Sequence, residues 1–259
     1  MKVQIGDVEI FVREWGAGEP LLMVHGLGMS GALWRAQVEA FSERFRMIAV
    51  DLRGFGQSSR PTAPGSYAIE VLAEDIAGVA TALGLDSFHF LGTSMGGFIG
   101  QALALAHPKR CRSLVLAHTG PRMSIPADVL ESRLEMLRTS PLEEYAELVF
   151  DQATGENPSD ELRTFISGLV TKNDKRAYSQ VLTEGLKAFD LSERVAEIDR
   201  PTLVVIGELD AVIPPEQGRE LAEKISGSKL VEIPRVGHLG YAEDPAAFNR
   251  AVLEFLGTV

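Results

Sequence analysis

The feature that most constrains this chain is the stretch Phe88 to His107, FHFLGTSMGGFIGQALALAH, centred on Gly92-Thr93-Ser94-Met95-Gly96. Strand formers (Phe88, Phe90, Leu91) lead in and a helix-forming run (Phe98 to Ala106) leads out. A G-x-S-x-G pattern in that setting predicts a strand that turns sharply into a helix, with the serine hydroxyl held above the end of a sheet. Bulky residues at Gly92 or Gly96 would collide with the adjacent strand and helix. The amide of Met95, at the helix start, is free to point at a developing oxyanion.

Two plainer readings compete. Residues 87 to 108 carry no formal charge, which is long enough for a membrane span. Gly92, Gly96 and Gly100 even repeat the spacing of membrane helix pairs. The run, however, is dense in glycine, holds Thr93, Ser94, Gln101 and two histidines, and changes period midway. The second reading is an ordinary strand-turn-helix whose serine does nothing. A pattern with free positions recurs by chance, so the rest of the chain must decide.

Read in order, residues 2 to 14 predict an antiparallel hairpin around Gly6-Asp7 at a sheet edge. Buried strands follow at Pro20 to Val24, Arg46 to Val50, the Phe88 run, Ser113 to Ala117, Thr202 to Ile206 and Lys229 to Ile233. Helices are expected at about Ala32 to Glu43, Ile69 to Leu83 and Pro245 to Leu256. This alternation predicts an α/β fold with a mostly parallel sheet covered on both faces. The region from Pro121 to Asp199 breaks the alternation and reads as successive helices. Ser140-Pro141-Leu142-Glu143 and Asn157-Pro158-Ser159-Asp160 look like helix starts, and Asp174 to Phe189 puts Tyr178, Val181, Leu182, Leu186 and Phe189 on one side. The expected organisation is a core of residues 1–120 and 200–259 with a helical cap, 121–199, inserted as a lid; packing helices without a gating role are the alternative.

At 259 residues the chain suits one such domain with an insertion, or two small domains. Its net charge of −11 makes nucleic acid an unfavourable partner. The lone cysteine, Cys111, allows no internal disulfide and reads as a buried, inert thiol. The N-terminal MKVQIGDVEI carries Asp7 and Glu9 and lacks the apolar core of a signal peptide, so a cytoplasmic protein without membrane association is expected.

A second glycine pattern must be weighed. Gly26-Leu27-Gly28-Met29-Ser30-Gly31 matches G-x-G-x-x-G, and Asp51 lies 20 residues beyond Gly31. That spacing suits a dinucleotide fingerprint and hence an oxidoreductase. Against it, a hairpin precedes the strand, His25 stands directly before the first glycine, the helix begins only after Ser30, and Arg53-Gly54 makes Asp51 part of a turn.

A serine nucleophile needs a base, and the base needs an orienting acid. After the strand at 202 to 206 comes Gly207-Glu208-Leu209-Asp210; after the last strand comes Val236-Gly237-His238-Leu239. Parallel strands present their C-terminal ends at one edge, so Asp210 and His238 belong beside Ser94. Glu208 is the rival acid, but it precedes the turn.

Five ordered motifs, HGLG at His25, DLRGFGQS at Asp51, GTSMGG at Ser94, GELDAVIPP around Asp210 and GHLGYAEDP at His238, make the whole chain resemble the α/β-hydrolase superfamily. The resemblance implies a mostly parallel eight-stranded sheet, helices on both faces and an inserted helical cap. It implies Ser94 as nucleophile, His238 as general base and then acid, Asp210 as its orienter, and an oxyanion hole from the backbone N–H groups of Leu27 and Met95. No cofactor or metal is implied, and the partner is a small-molecule ester or lactone.

His25 is expected to brace the oxyanion loop, His89 to sit in a strand and His107 at a helix end. His118 ends a strand near the site, with packing as its expected role and the pocket wall as the other. Asp51 and Arg53 are expected to fasten loops. GTSMGGFIGQ, NDKRAYSQVL and GHLGYAEDP are similar to 3-oxoadipate enol-lactonases and related small esterases. That group carries an aromatic R-W-F patch early in the cap, whereas Arg133 to Leu142 here reads RLEMLRTSPL. A carboxylate-bearing substrate would want a cation, for which Lys172, Lys175, Arg176, Arg133 and Arg138 are candidates. Meta-cleavage carbon–carbon hydrolases, which usually show tryptophan where Leu239 stands, and cofactor-free haloperoxidases share the triad.

Overall fold

The computed structural model describes residues 1–123 and 125–259. Strands β1 (Lys2–Ile5) and β2 (Val8–Trp15) form the expected edge hairpin. In β2, Val8, Ile10 and Val12 face the core while Glu9 faces solvent, the period of a half-covered strand. β3 (Glu19–Val24), β4 (Phe45–Asp51), β5 (Phe88–Thr93), β6 (Cys111–Ala117), β7 (Thr202–Gly207) and β8 (Lys229–Ile233) complete one eight-stranded sheet in the order β1-β2-β4-β3-β5-β6-β7-β8. The pairings β1–β2 and β2–β4 are antiparallel and the rest parallel. All six residues of β5 and of β7 are buried, as strands covered on both faces must be. β8 differs from the buried strand its sequence predicts. It is the sheet edge, and Leu230 is 41% exposed.

Among the helices, the expected one at 32 to 43 is in fact a tight turn over Gly31–Ala36 followed by α1 (Val38–Ser42). The break falls at Gln37, whose buried amide donates to Tyr241 O (2.8 Å) and Asn249 Oδ1 (3.0 Å). A side chain committed to the distant C-terminal segment has overridden the helical period. α2 (Ile69–Ala82) and α3 (Met95–Ala106) follow their patterns.

Between β6 and β7 lie α4 (Ala127–Thr139), α5 (Leu142–Ala153), α6 (Asp160–Val170) and α7 (Lys175–Gln180), the last widening into a π-type turn over Val181–Leu186. The insertion enters and leaves at one point. Leu191 N donates to Pro121 O and Met123 N to Phe189 O, each at 2.9 Å. Ser159 caps α6 by accepting from Leu162 N, and Asp174 caps α7 by accepting from Ala177 N. Ser140 does not cap α5 as expected: Pro141 takes that position, and Ser140 O instead accepts from Lys175 Nζ. Tyr178, Val181, Leu182, Leu186 and Phe189 are all buried on the shared side.

The remaining helices are α8 (Pro215–Lys224), α9 (Gly240–Glu243) and α10 (Pro245–Leu256). α8 is absent from the sequence reading because PEQGRELAEK shows almost no apolar stripe; its buried residues are Gly218 and Leu221, with Ala222 partly buried against the core. Cys111 is buried, and burial pushes its thiol up to about 12, out of the range of an active nucleophile.

Candidate active site

Ser94 follows β5 with φ 55° and ψ −120°, a backbone conformation that non-glycine residues rarely adopt. The fold holds it there. Ser94 N donates to Ala117 O at 2.9 Å on β6, and Ser94 O accepts from Gly97 N at 2.8 Å in the first turn of α3. The two motif glycines permit close approach. A Cβ on Gly92 would stand 2.2 Å from Gly96 O, and one on Gly96 2.3 Å from Val24 O. Met95 is the first residue of α3, so its N–H has no carbonyl one turn back.

Asp210 follows β7 and is 4% exposed. Its Oδ1 accepts from Val212 N and Ile213 N, both at 2.9 Å, which aims Oδ2 at His238 Nδ1, 2.8 Å away. That bond places the imidazole proton on Nδ1 and leaves Nε2 as the basic nitrogen. Burial would push the Asp210 carboxyl up, but His238 bonded to it and His118 close by hold it well below the carboxylate range. Glu208, the rival acid, points elsewhere and accepts from Arg235 N at 2.8 Å.

Ser94 and His238 line one cavity, the kind of concave site in which small molecules bind. Its floor includes Gly26, Leu27 and Met29 from the loop after β3, and its walls include Tyr145, Tyr178 and Leu182 from the insertion. The loop at Gly26 presses on the serine, for a Cβ on Gly26 would lie 3.1 Å from Ser94 Cβ.

His25 braces this loop. Its Nδ1 donates to Gly26 O (2.7 Å) and its Nε2 accepts from Leu52 N (3.0 Å), fully buried. Asp51 accepts from Gly31 N (2.7 Å) and Gln57 N (2.9 Å) and pairs with Arg13, so its carboxylate fastens loops and is not presented to a ribose. Arg53 pairs with Asp75 through two bonds of 2.5 Å. His89 bonds Ser113 Oγ within the sheet, and His107 ends α3 against Glu74.

His118 is buried with φ 48° and packs against Tyr241 without lining the cavity. Its Nδ1 lies 3.7 Å from Asp210 Oδ2, beyond hydrogen-bond length but close enough to act on the charge. Burial lowers its pKa, which keeps it neutral there.

Of the five cations proposed between residues 121 and 199, only Arg133 lines the cavity. Arg138 and Arg176 are exposed beside Glu135 and Asp174, Lys175 donates to Ser140 O, and Lys172 is exposed.

Three residues had no role assigned from sequence. Asn173 is buried and donates from Nδ2 to Gly28 O (2.6 Å) as well as to Leu169 O and Val170 O (3.1 Å each), tying α6 to the loop below the serine. Glu243 accepts from Gly237 N (2.9 Å) and Gly155 N (2.6 Å), tying the His238 loop to the segment after α5. Tyr241 lines the cavity, fully enclosed. Asn173 lies in NDKRAYSQVL and the others in GHLGYAEDP, but nothing in either spacing says which carbonyl or amide a side chain will meet.

Among the described residues no three His, Cys, Asp or Glu side chains gather as a metal site, and no helix is long and apolar enough to cross a membrane.

Comparison with known proteins follows from this geometry. Residues 19–164 match the family described as alpha/beta hydrolase fold, and residues 185–259 one described as TAP-like protein. A protein of Azorhizobium caulinodans that carries the name carbamate hydrolase RutD is 32% identical, covering 98% of this chain and 97% of its own. The enol-lactonase from Burkholderia xenovorans LB400 superposes with a TM-score of 0.93 at 30% identity, covering 99% of this chain and 100% of that one. A thermophilic esterase from Thermogutta terrifontis does so with a TM-score of 0.89 at 30% identity, covering 100% of this chain and 98% of that one.

Proposed function

The chain belongs to the α/β-hydrolase fold family, and on that premise we propose that it is a serine hydrolase of small carboxylic esters or lactones. The observation that carries the reading is that a strained Ser94 and an Asp210-oriented His238 line one cavity. In the proposed reaction Ser94 Oγ attacks the substrate carbonyl carbon as His238 Nε2 takes its proton. The N–H groups of Leu27 and Met95 receive the oxyanion. Collapse breaks the carbon–oxygen bond, and the leaving alkoxide takes the proton from His238. A water then gives its proton to His238 and attacks the acyl carbon; the bond from that carbon to Ser94 Oγ breaks, Oγ takes the proton back from His238, and the acid is freed. In a lactone the leaving group stays tethered, so product forms only at this second step.

Residues 121–199 are proposed as the cap. The insertion supplies one wall of the cavity and is anchored at both ends beside Pro121, which suits a lid that excludes water during the reaction. The enol-lactonase neighbour makes 3-oxoadipate enol-lactone the first substrate to try, beside aryl esters and a carbamate. Wild type is assayed next to Ser94→Ala. The expected outcome is hydrolysis by wild type and a loss in Ser94→Ala of several orders of magnitude in kcat with the fold intact. Near-full activity in Ser94→Ala would remove Ser94 from the reaction.

A further inference from the structure

Among the described residues, Arg133, on α4, is the only Lys, Arg, Asp or Glu side chain lining the cavity that holds Ser94 and His238. It is half-buried, and among the described residues no carboxylate lies within ion-pair distance of it. Every other cation the sequence offered for this role is exposed or turned to a protein acceptor. One guanidinium N–H donates to Gln152 Oε1 at 2.9 Å, and Gln152 lines the same cavity. A guanidinium has five N–H donors, so this contact steadies the group and leaves most of the fork unused. Two phenols, Tyr145 and Tyr178, line the same cavity and feel its charge. Burial raises both, so they remain neutral and cannot balance its charge.

Arg133 is only half-buried and its bond to Gln152 is exposed, so water carries its charge until an anion enters the mainly apolar cavity and takes up the free N–H donors. We propose that Arg133 anchors a carboxylate carried by the substrate, at the end remote from the bond that Ser94 attacks; this rests on the hydrolase reading above and narrows it to esters or lactones of dicarboxylic acids. A single arginine matches a carboxylate in charge and in its planar two-oxygen geometry. A phosphate dianion would keep an unbalanced charge in a chain whose net charge is already −11.

The test uses two esters of equal shape, mono-4-nitrophenyl glutarate and 4-nitrophenyl 5-methylhexanoate, in which an isopropyl group replaces the carboxylate. The quantity read is the ratio of their kcat/KM values in wild type, Arg133→Gln and Arg133→Lys. Arg133→Gln keeps a donor for Gln152, and unliganded thermal midpoints check that each variant folds. The wild-type ratio is expected to favour the glutarate by about tenfold to a hundredfold, the range of one charge-assisted contact. Arg133→Gln should bring it to about one, with Arg133→Lys in between. Binding of succinate, glutarate and adipate, read as a rise in thermal midpoint, should follow the same order.

A wild-type ratio near one together with equal dicarboxylate binding in wild type and Arg133→Gln would overturn the anchor. Hydrolysis of both esters in that case would leave the hydrolase reading standing. Dicarboxylate binding that depends on Arg133, with neither ester hydrolysed, would keep the anchor and sink the hydrolase reading.

Discussion

Acidification should strip the fold of a stabilisation held by one residue, His25. Its ring donates from Nδ1 to Gly26 O and accepts at Nε2 from Leu52 N, an arrangement only the neutral imidazole can make. A second proton would set an N–H against the Leu52 N–H in a site fully closed to water. Burial is the chief cause of a pKa lowered from 6.5 to about 4, and the bond to Gly26 opposes it. A group whose folded pKa is depressed stabilises the fold above its unfolded value and loses that contribution as pH falls through the folded one. The window is therefore pH 6.5 down to about 4. At 1.36 kcal/mol per unit, the 2.5-unit difference between 6.5 and 4 corresponds to about 3 kcal/mol.

Other groups titrate over the same range. Glu243, raised by burial, gives the opposite slope, whereas Asp210 gives the same one. The difference between wild type and His25→Gln cancels them. Urea unfolding followed by far-ultraviolet circular dichroism, from about pH 7 to about pH 4, should show the stability gap between the two proteins shrinking by about 3 kcal/mol toward acid. A gap that stays constant would refute the argument that a neutral, doubly bonded His25 is required.

Asn173→Ala removes the bond to Gly28 O that holds the loop carrying Leu27. It should cost about 1–3 kcal/mol in urea unfolding and lower kcat more than it changes KM if that loop carries the proposed oxyanion donor. Asp75→Asn leaves the buried Arg53 guanidinium without its charge partner. Unfolding should then require about 3–5 kcal/mol less, and a loss below about 1 kcal/mol would show that the pair is solvated. Asp210→Asn should lower kcat by about four orders of magnitude while Glu208→Gln stays within about threefold of wild type; the reverse pattern in steady-state assays would exchange the two acids.

Much of the architecture was legible because it is written in local periods and ordered motifs. The runs at 20 to 24, 46 to 50, 88 to 93 and 202 to 206 are buried strands in the fold, and α10 has its expected ends. The conformation of Ser94 was legible too, since only a tight strand-to-helix turn needs glycines at 92 and 96. Elements whose identity depends on distant partners were not. The helix expected from Ala32 breaks because Gln37 is taken by Tyr241 and Asn249. α8 offers the sheet little more than Leu221, too small a stripe for a period to register. β8 reads as interior but stands at the edge, a matter of strand order that its own residues do not encode.

The sequence by itself determined the kind of chemistry available: a serine on a strained turn, and an acid and a histidine each following a parallel strand and so brought to one edge. The tertiary structure decided which side chains work together. It turned Glu208 away and bent Asp210 onto His238 through two backbone amides. It set His118 beside the same carboxylate, and it chose Arg133 alone from five candidate cations to line the cavity. Motif and period are short-range properties of the chain, whereas the direction of a side chain across an insertion depends on how whole helices pack, and no local pattern carries that.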